Sequence, residues 1–151
     1  NWQPMALERL AEQVIHGVLD SSPQSDRIAV QVILPETSAR VGARQAFKLA
    51  LVLNEATTNC LKYAFAGRDR GQIEVKVEVE AQGEKQMGTF EFRDDGPGWP
   101  DDVLNGRRQN IGLDLIRASV EYDMHGQVTL RNAGGAVITC AFEIDLASQS
   151  L

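Results

Sequence analysis

The chain has 151 residues, 43% of them apolar and 24% charged, with a formal net charge of −6. That length fits a single domain with a real core, and the composition is ordinary for a globular protein. The acidic balance argues against a nucleic-acid partner, and no apolar stretch is long enough to cross a bilayer or patterned as a signal peptide, so this segment is not expected to insert in a membrane.

The first residue is Asn1 rather than Met, which suggests a piece of a longer protein. Cys60 and Cys140 lie far apart in apolar patterns and read as reduced core thiols, not as a disulfide or metal pair. His16 and His125 form no metal-ligand spacing.

In chain order, "PMALERLAEQVIHGVLD" carries Leu7, Leu10, Val14 and Val18 at helical spacing, predicting an amphipathic helix from Pro4 to Leu19. "RIAVQVIL" is β-branched and bounded by turn residues, hence a strand. A connector with a short strand at Val41 leads to a long apolar helix from Ala43 to Phe65. "QIEVKVEVE" alternates as a half-buried strand and turns at "AQGEKQ" into "MGTFEFR". After "DDGPGWP" and a polar loop, "IGLDLIRASVEYD" is another amphipathic helix, closed at His125-Gly126 because Gly is favoured just past a helix end. "QVTLRN" and "AVITCAFEI" form a closing hairpin, and residues 145–151 read as a frayed tail. The order predicts one α/β (α+β) domain over residues 1–151: a two-layer sandwich, its sheet mostly antiparallel, helices on one face.

The long helix holds the most informative pattern. Leu49, Leu53, Ala56, Cys60 and Ala64 share one side, while Glu55, Asn59 and Lys62 line up opposite at i, i+4 and i+7. Asn is a poor helix-interior residue, because its amide competes for backbone hydrogen bonds. An amide oxygen with a carboxylate one turn before and a cation one turn after suits Mg²⁺ and phosphate. "FRDDGPGWP" adds carboxylates at a strand end beside bare backbone. Gly112 adds the start of a helix whose amides suit a phosphate.

With those residues in view, the sequence resembles the Bergerat-fold (GHKL) ATPases, and most closely the ATP-binding catalytic domain of bacterial sensor histidine kinases of the HWE-related type. "LVLNEATTNCLKYAF" resembles their N box, "DDGPG" their G1 box and "NIGLDLI" a reduced G2 box. The likeness runs from about Leu7 to Glu143. It implies ATP and Mg²⁺ as cofactors, with Asp94 accepting the adenine amino group and Gly96 and Gly98 letting the backbone pass close to the nucleotide. It implies Asn59, with Glu55, on the metal, Lys62 at the phosphates and Tyr63 along the pocket. Trp99 to Ile111 becomes the lid, with Arg107 or Arg108 at the γ-phosphate and Gly112 and Leu113 at the start of the following helix. Asp95 is read as merely solvated.

The resemblance further implies transfer of the γ-phosphoryl group to a histidine on upstream dimerisation helices, and onward to the receiver domain of a response regulator. A cytoplasmic location follows, free or as the cytoplasmic part of a membrane-anchored sensor. Neither His16 nor His125 suits the acceptor role.

Three departures from the family pattern stand out. Asn110 replaces a Gly that usually opens the G2 box, which implies a stiffer, shorter lid. Ala136 stands where many members place a Thr that contacts adenine through water, and Thr139 lies on the other strand face. Glu55 stands where many kinases carry a second Asn, and ATP-hydrolysing relatives use a Glu as general base. Modest ATP affinity and some hydrolysis are the expectation. Two other readings compete: an anti-sigma-factor-type serine kinase, and a non-catalytic nucleotide-binding regulator on the same fold.

Overall fold

The computed structural model describes residues 4–23, 25–65 and 67–145. Of the predicted tail, only Asp145 falls among them. Helix α1 (Leu7–Asp20) begins three residues later than its periodicity predicts. Its first residues are used instead in a short strand, β1 (Met5–Ala6), pairing antiparallel with β3 (Arg40–Val41). The Leu7 N–H donates to the Ala39 carbonyl at 2.8 Å, so the helix starts only where that pairing stops. Its buried face is Leu7, Leu10, Ala11, Ile15 and Leu19, leaving Val14 and Val18 half-buried at the margin and His16 exposed.

Strands β2 (Ile28–Ile33), β4 (Gly71–Gln82), β5 (Lys85–Asp94), β6 (Gln127–Asn132) and β7 (Ala136–Ile144) form one sheet in the order β2-β4-β5-β7-β6. Only β2 and β4 run parallel; the other three pairings are antiparallel, matching the expected mostly antiparallel sheet. One face is apolar. Ile73, Val75 and Val77 of β4 alternate with exposed or half-buried residues, and Phe90 and Phe92 of β5 continue that face. Phe90 and Phe142 meet with ring centroids 5.2 Å apart, a tilted aromatic pair at the centre of the core.

Helices cover that face. Helix α2 (Ala43–Asn59) contributes Ala46, Leu49, Val52, Leu53 and Ala56 to the core and then continues as a π-helical turn, Cys60–Ala64. After a short α3 (Asp101–Leu104), α4 (Ile111–Arg117) runs on into a second π-helical stretch, Ala118–Asp123. The buried Gln45 of α2 ties the end of β7 down from both sides of its amide. Its Nε2 donates to the Glu143 carbonyl at 2.7 Å and its Oε1 accepts from the Asp145 N–H at 2.8 Å.

The end of the second long helix corrects a detail of the sequence reading. The left-handed residue there is His125, at φ 50°, not the glycine after it. Gly126 instead donates its N–H to the Val120 carbonyl at 2.8 Å and passes so close to β7 that a Cβ would strike the Ala141 carbonyl oxygen. Its missing side chain serves close packing. Gly126→Ala should therefore destabilise the fold by about 1–3 kcal/mol, since backbone must move to admit the methyl. Urea unfolding checks this, and wild-type stability would show that the strand yields freely.

Candidate nucleotide-binding site

Between the sheet, the end of α2 and the segment from Pro97 to Leu115 lies a cavity of about 620 Å³. Phe92 and Ile138 form an apolar floor, with Cys60, Ala64 and Ala136 beside them. At the floor stands Asp94, the last residue of β5 and only 7% exposed. It lies on the same strand face as Phe90 and Phe92, so period-two alternation aims it inward. Its Oδ1 accepts the N–H of Gly96 at 2.9 Å and that of Ala136 at 3.1 Å. Those two bonds fix the carboxylate and leave Oδ2 for a donor in the cavity.

Helix α2 supplies the opposite wall. Glu55, Asn59, Lys62 and Tyr63 all line the cavity, but not on one regular helix. The change to i→i+5 bonding begins at Cys60, so the predicted straight α-helical stripe is broken directly after Asn59. Glu55 and Asn59 belong to the α-helix, whereas Lys62 and Tyr63 are carried by the π turn, exposed at the rim. The Asn59 Nδ2 is buried and has no hydrogen-bond partner among the described residues. An orphaned amide in a cavity wall is a group suited to a ligand, because leaving it unpaired costs about 1–3 kcal/mol.

Gly112 is the second residue of α4 rather than the residue before it. A Cβ there would come 3.1 Å from Glu55 Oε2 and 3.2 Å from Asn59 Nδ2, so its missing side chain seats α4 against both polar residues. Asn110 caps this helix, its side chain accepting the Leu113 N–H at 3.0 Å. Sequence reasoning treated Asn110 as a missing glycine and passed over this cap, which an Asn just before an apolar helix could have signalled. The Leu113 side chain is buried and not part of the cavity wall.

Gly96 also lies outside the lining: a Cβ on it would come 2.8 Å from the Ala64 carbonyl oxygen, so it packs the bend against the π turn. Gly98, at φ 89°, does line the cavity. Of the two candidate arginines, Arg108 reaches the cavity wall, with Nη1 3.9 Å from Asp102 Oδ1, while Arg107 does not. Ala136 and Ile138 line the cavity and Thr139 does not, as strand alternation requires. Trp99, expected as the first residue of the lid, lines the cavity, and so does Leu115, which the sequence reading did not assign because nothing in its local pattern separates a cavity wall from a core.

Asp95 is braced rather than simply solvated. Desolvation alone would raise its pKa, but the Gln72 N–H at 3.0 Å and the Arg68 guanidinium at 3.2 Å prevail and hold it below the usual carboxylate range. It ties the bend to the start of β4.

With this geometry in hand, comparison with known proteins is decisive. Residues 45–147 match the family of histidine kinase-, DNA gyrase B- and HSP90-like ATPases. The chain belongs to that family. It is 31% identical over 119 residues to blue-light-activated histidine kinase 2 of Erythrobacter litoralis, an overlap of 76% of this chain but 30% of that protein. The chain therefore corresponds to under a third of that relative's length. Among solved structures, the catalytic domain of histidine kinase ThkA superposes with a TM-score of 0.72 at 15% identity, covering 95% of both chains. The ATP-binding domain of PrrB from Mycobacterium tuberculosis gives 0.70 at 19% identity, over 96% of this chain and 98% of that one. At these identities the likeness establishes the fold, which is the one expected from the sequence.

The two thiols are both free and buried. Burial, and after it the negative Asp94, push the Cys60 thiol far above its ordinary value. Burial pushes Cys140 up to about 12, with Arg117 pulling the other way. A thiol that ionises more easily unfolded than folded adds stability only below its unfolded pKa, and that stability is lost as pH rises through the folded one. Urea unfolding should show stability falling from about pH 8 to about pH 10, less steeply in Cys140→Ala relative to that variant's own neutral-pH value.

Proposed function

We propose that the chain binds Mg-ATP in this cavity and donates the γ-phosphoryl group to a histidine on a separate helical segment of the same signalling protein. The observation that carries the reading is Asp94: a nearly buried carboxylate, fixed through one oxygen, at the floor of a cavity whose other end holds Asn59, Glu55 and Lys62. Adenine's exocyclic amino group is a donor for that carboxylate. Guanine would present its O6, an acceptor, and leave both groups unpaired.

The polar end fits a hard cation. Asn59 and Glu55 offer oxygen donors on one helix turn, and Mg²⁺ takes one or two such protein ligands while phosphates and water complete its shell. When bound, the ion would neutralise charge on the β- and γ-phosphates. Lys62, on the exposed rim, places an ammonium at the same end, and Arg108 offers a guanidinium across the cavity. In the transfer the acceptor imidazole nitrogen bonds to the γ-phosphorus as the bond to the ADP oxygen breaks, and ADP departs with that electron pair. The protein's part is positioning and charge stabilisation.

Exposed apolar side chains on the two helices that border the cavity support a protein acceptor. Ile111 of α4 is 73% exposed, Phe47 of α2 is 77% exposed, and Tyr122 in the π stretch after α4 is 83% exposed, with Leu51 and Leu115 partly exposed. Lys48 and Asp123, 3.8 Å apart, show that the far ends of these two helices lie side by side. Exposed apolar side chains along two adjacent helices, ending at the cavity, suit the apolar face of a partner helix. That surface would bring a phosphoacceptor helix to the γ-phosphate, and a response-regulator receiver domain would take the group from it.

Two experiments test the reading. Asp94→Asn should weaken ATP binding by about 1–3 kcal/mol and shrink the ATP over GTP preference, because the new amide donates where the carboxylate accepted. Equal affinity of the wild-type chain for ATP and GTP, by calorimetry, would exclude it. Separately, Phe47→Glu or Tyr122→Glu should leave ATP affinity unchanged but reduce labelling of an added histidine-bearing helix pair from the full-length protein. Labelling of His16 or His125 in the isolated chain, acid-labile and base-stable, would place the acceptor within this domain instead.

A further inference from the structure

Resting on the ATP reading of the cavity, we propose that Asn132 is a positioning residue for the base end of the nucleotide, acting through Trp99. Asn132 ends the edge strand β6, where an exposed amide would ordinarily meet only water. Here both ends of the amide are engaged with the main chain of one residue. Its Oδ1 accepts the Trp99 N–H at 2.7 Å and its Nδ2 donates to the Trp99 carbonyl at 3.1 Å. This reciprocal pair works as one extra rung of a strand ladder, supplied by a side chain.

The indole is held as well. Trp99 Nε1 donates to the Val137 carbonyl of β7 at 3.1 Å, which leaves the ring lining the cavity over the same floor as Ala136 and Ile138. Gly98 makes the approach possible, since a Cβ there would lie 2.8 Å from Asn132 Oδ1 and its φ of 89° disfavours other residues. The segment leaving the bend is thus pinned at three hydrogen bonds to the β6–β7 hairpin.

That same hairpin donates the Ala136 N–H to Asp94 at 3.1 Å, and Gly135 packs against the Asp94 carbonyl. One hairpin therefore registers both the carboxylate that reads the base and the aromatic wall beside it. Asn132 touches no part of the cavity itself. Without its amide, Trp99 keeps only the indole bond and its backbone is free to shift relative to Asp94. A misplaced wall weakens binding of the base and leaves the phosphate end unaffected.

The test uses a Trp2→Phe chain, in which Trp99 is the only tryptophan, since the protein has two. In Asn132→Ala, affinity for ATP and for ADP should fall together by about tenfold, the scale of one or two lost hydrogen bonds. Trp99 emission in the free protein should shift to the red and be quenched more readily by acrylamide. Asn132→Asp keeps the shape and the acceptor but sets a second oxygen against the Trp99 carbonyl, so it should move every readout the same way; a role in shape alone would leave it like wild type. Should the Ala variant fail to fold, the Asp variant decides. Wild-type affinity and emission in a folded variant, or loss confined to ATP with ADP unchanged, would overturn the inference. Asp94→Asn serves as the control. If it weakens ATP while the Asn132 variants do not, only the positioning role falls; if neither changes binding, the ATP reading falls with it.

Discussion

A carboxylate only 7% exposed, as Asp94 is, loses most of its hydration, and that loss costs several kcal/mol unless fixed donors replace it. The replacement comes from two backbone N–H groups, Gly96 on the bend and Ala136 on β7. Much of the architecture follows from bringing those donors to one oxygen. The bend must fold back sharply after β5, β7 must pair beside β5, and the β6–β7 turn must come within reach of the strand end. Because backbone supplies both donors, the arrangement can tolerate varied side chains around it.

The same constraint explains the glycines near the site. Gly96 packs against Ala64 of the π turn, Gly98 against Asn132, Gly112 against Glu55 and Asn59, and Gly135 against Asp94. Each marks a place where two elements meet closely around the cavity. Asp95 then pins the outside of the bend to Gln72 and Arg68. The two adjacent acids do opposite work. Asp94 faces the cavity, while Asp95 holds the turn that presents it.

Helix α2 packs on the sheet along one side, lines the cavity along another, and changes its winding between Asn59 and Cys60. Through Ala56 its apolar side fills the core over the sheet, and Glu55 and Asn59 take the opposite edge. The π turn that starts at Cys60 rotates the following residues, so Lys62 and Tyr63 reach the rim while Cys60, Ala64 and Phe65 stay buried. Uniform α-helical spacing already separates Cys60 and Ala64 from Lys62; the π turn puts more residues in each turn, which adds Phe65 to the buried side and leaves Tyr63 exposed. The Asn59 Nδ2, unpartnered among the described residues, sits where the winding changes.

The strands, the long helices and the one-sided apolar pattern were legible in the sequence, because side-chain period reports burial directly. That Glu55, Asn59, Lys62 and Asp94 stand apart from the core was legible too, since an Asn inside an apolar helix and an acid pair before Gly-Pro-Gly conflict with simple packing; the structure sets all four around one cavity. What local pattern could not reveal was anything that depends on a partner distant in the chain. The start of α1 was displaced because β1 pairs with β3, more than thirty residues on. The roles of Gly96, Gly112 and Gly126 were decided by the neighbours a Cβ would meet, and those come from other elements. Asn132 and Trp99 are 33 positions apart, so their hydrogen bonds exist only once β6 and the bend lie side by side. Periodicity encodes which face is buried; only tertiary packing determines which backbone groups then fall within 3 Å of one another.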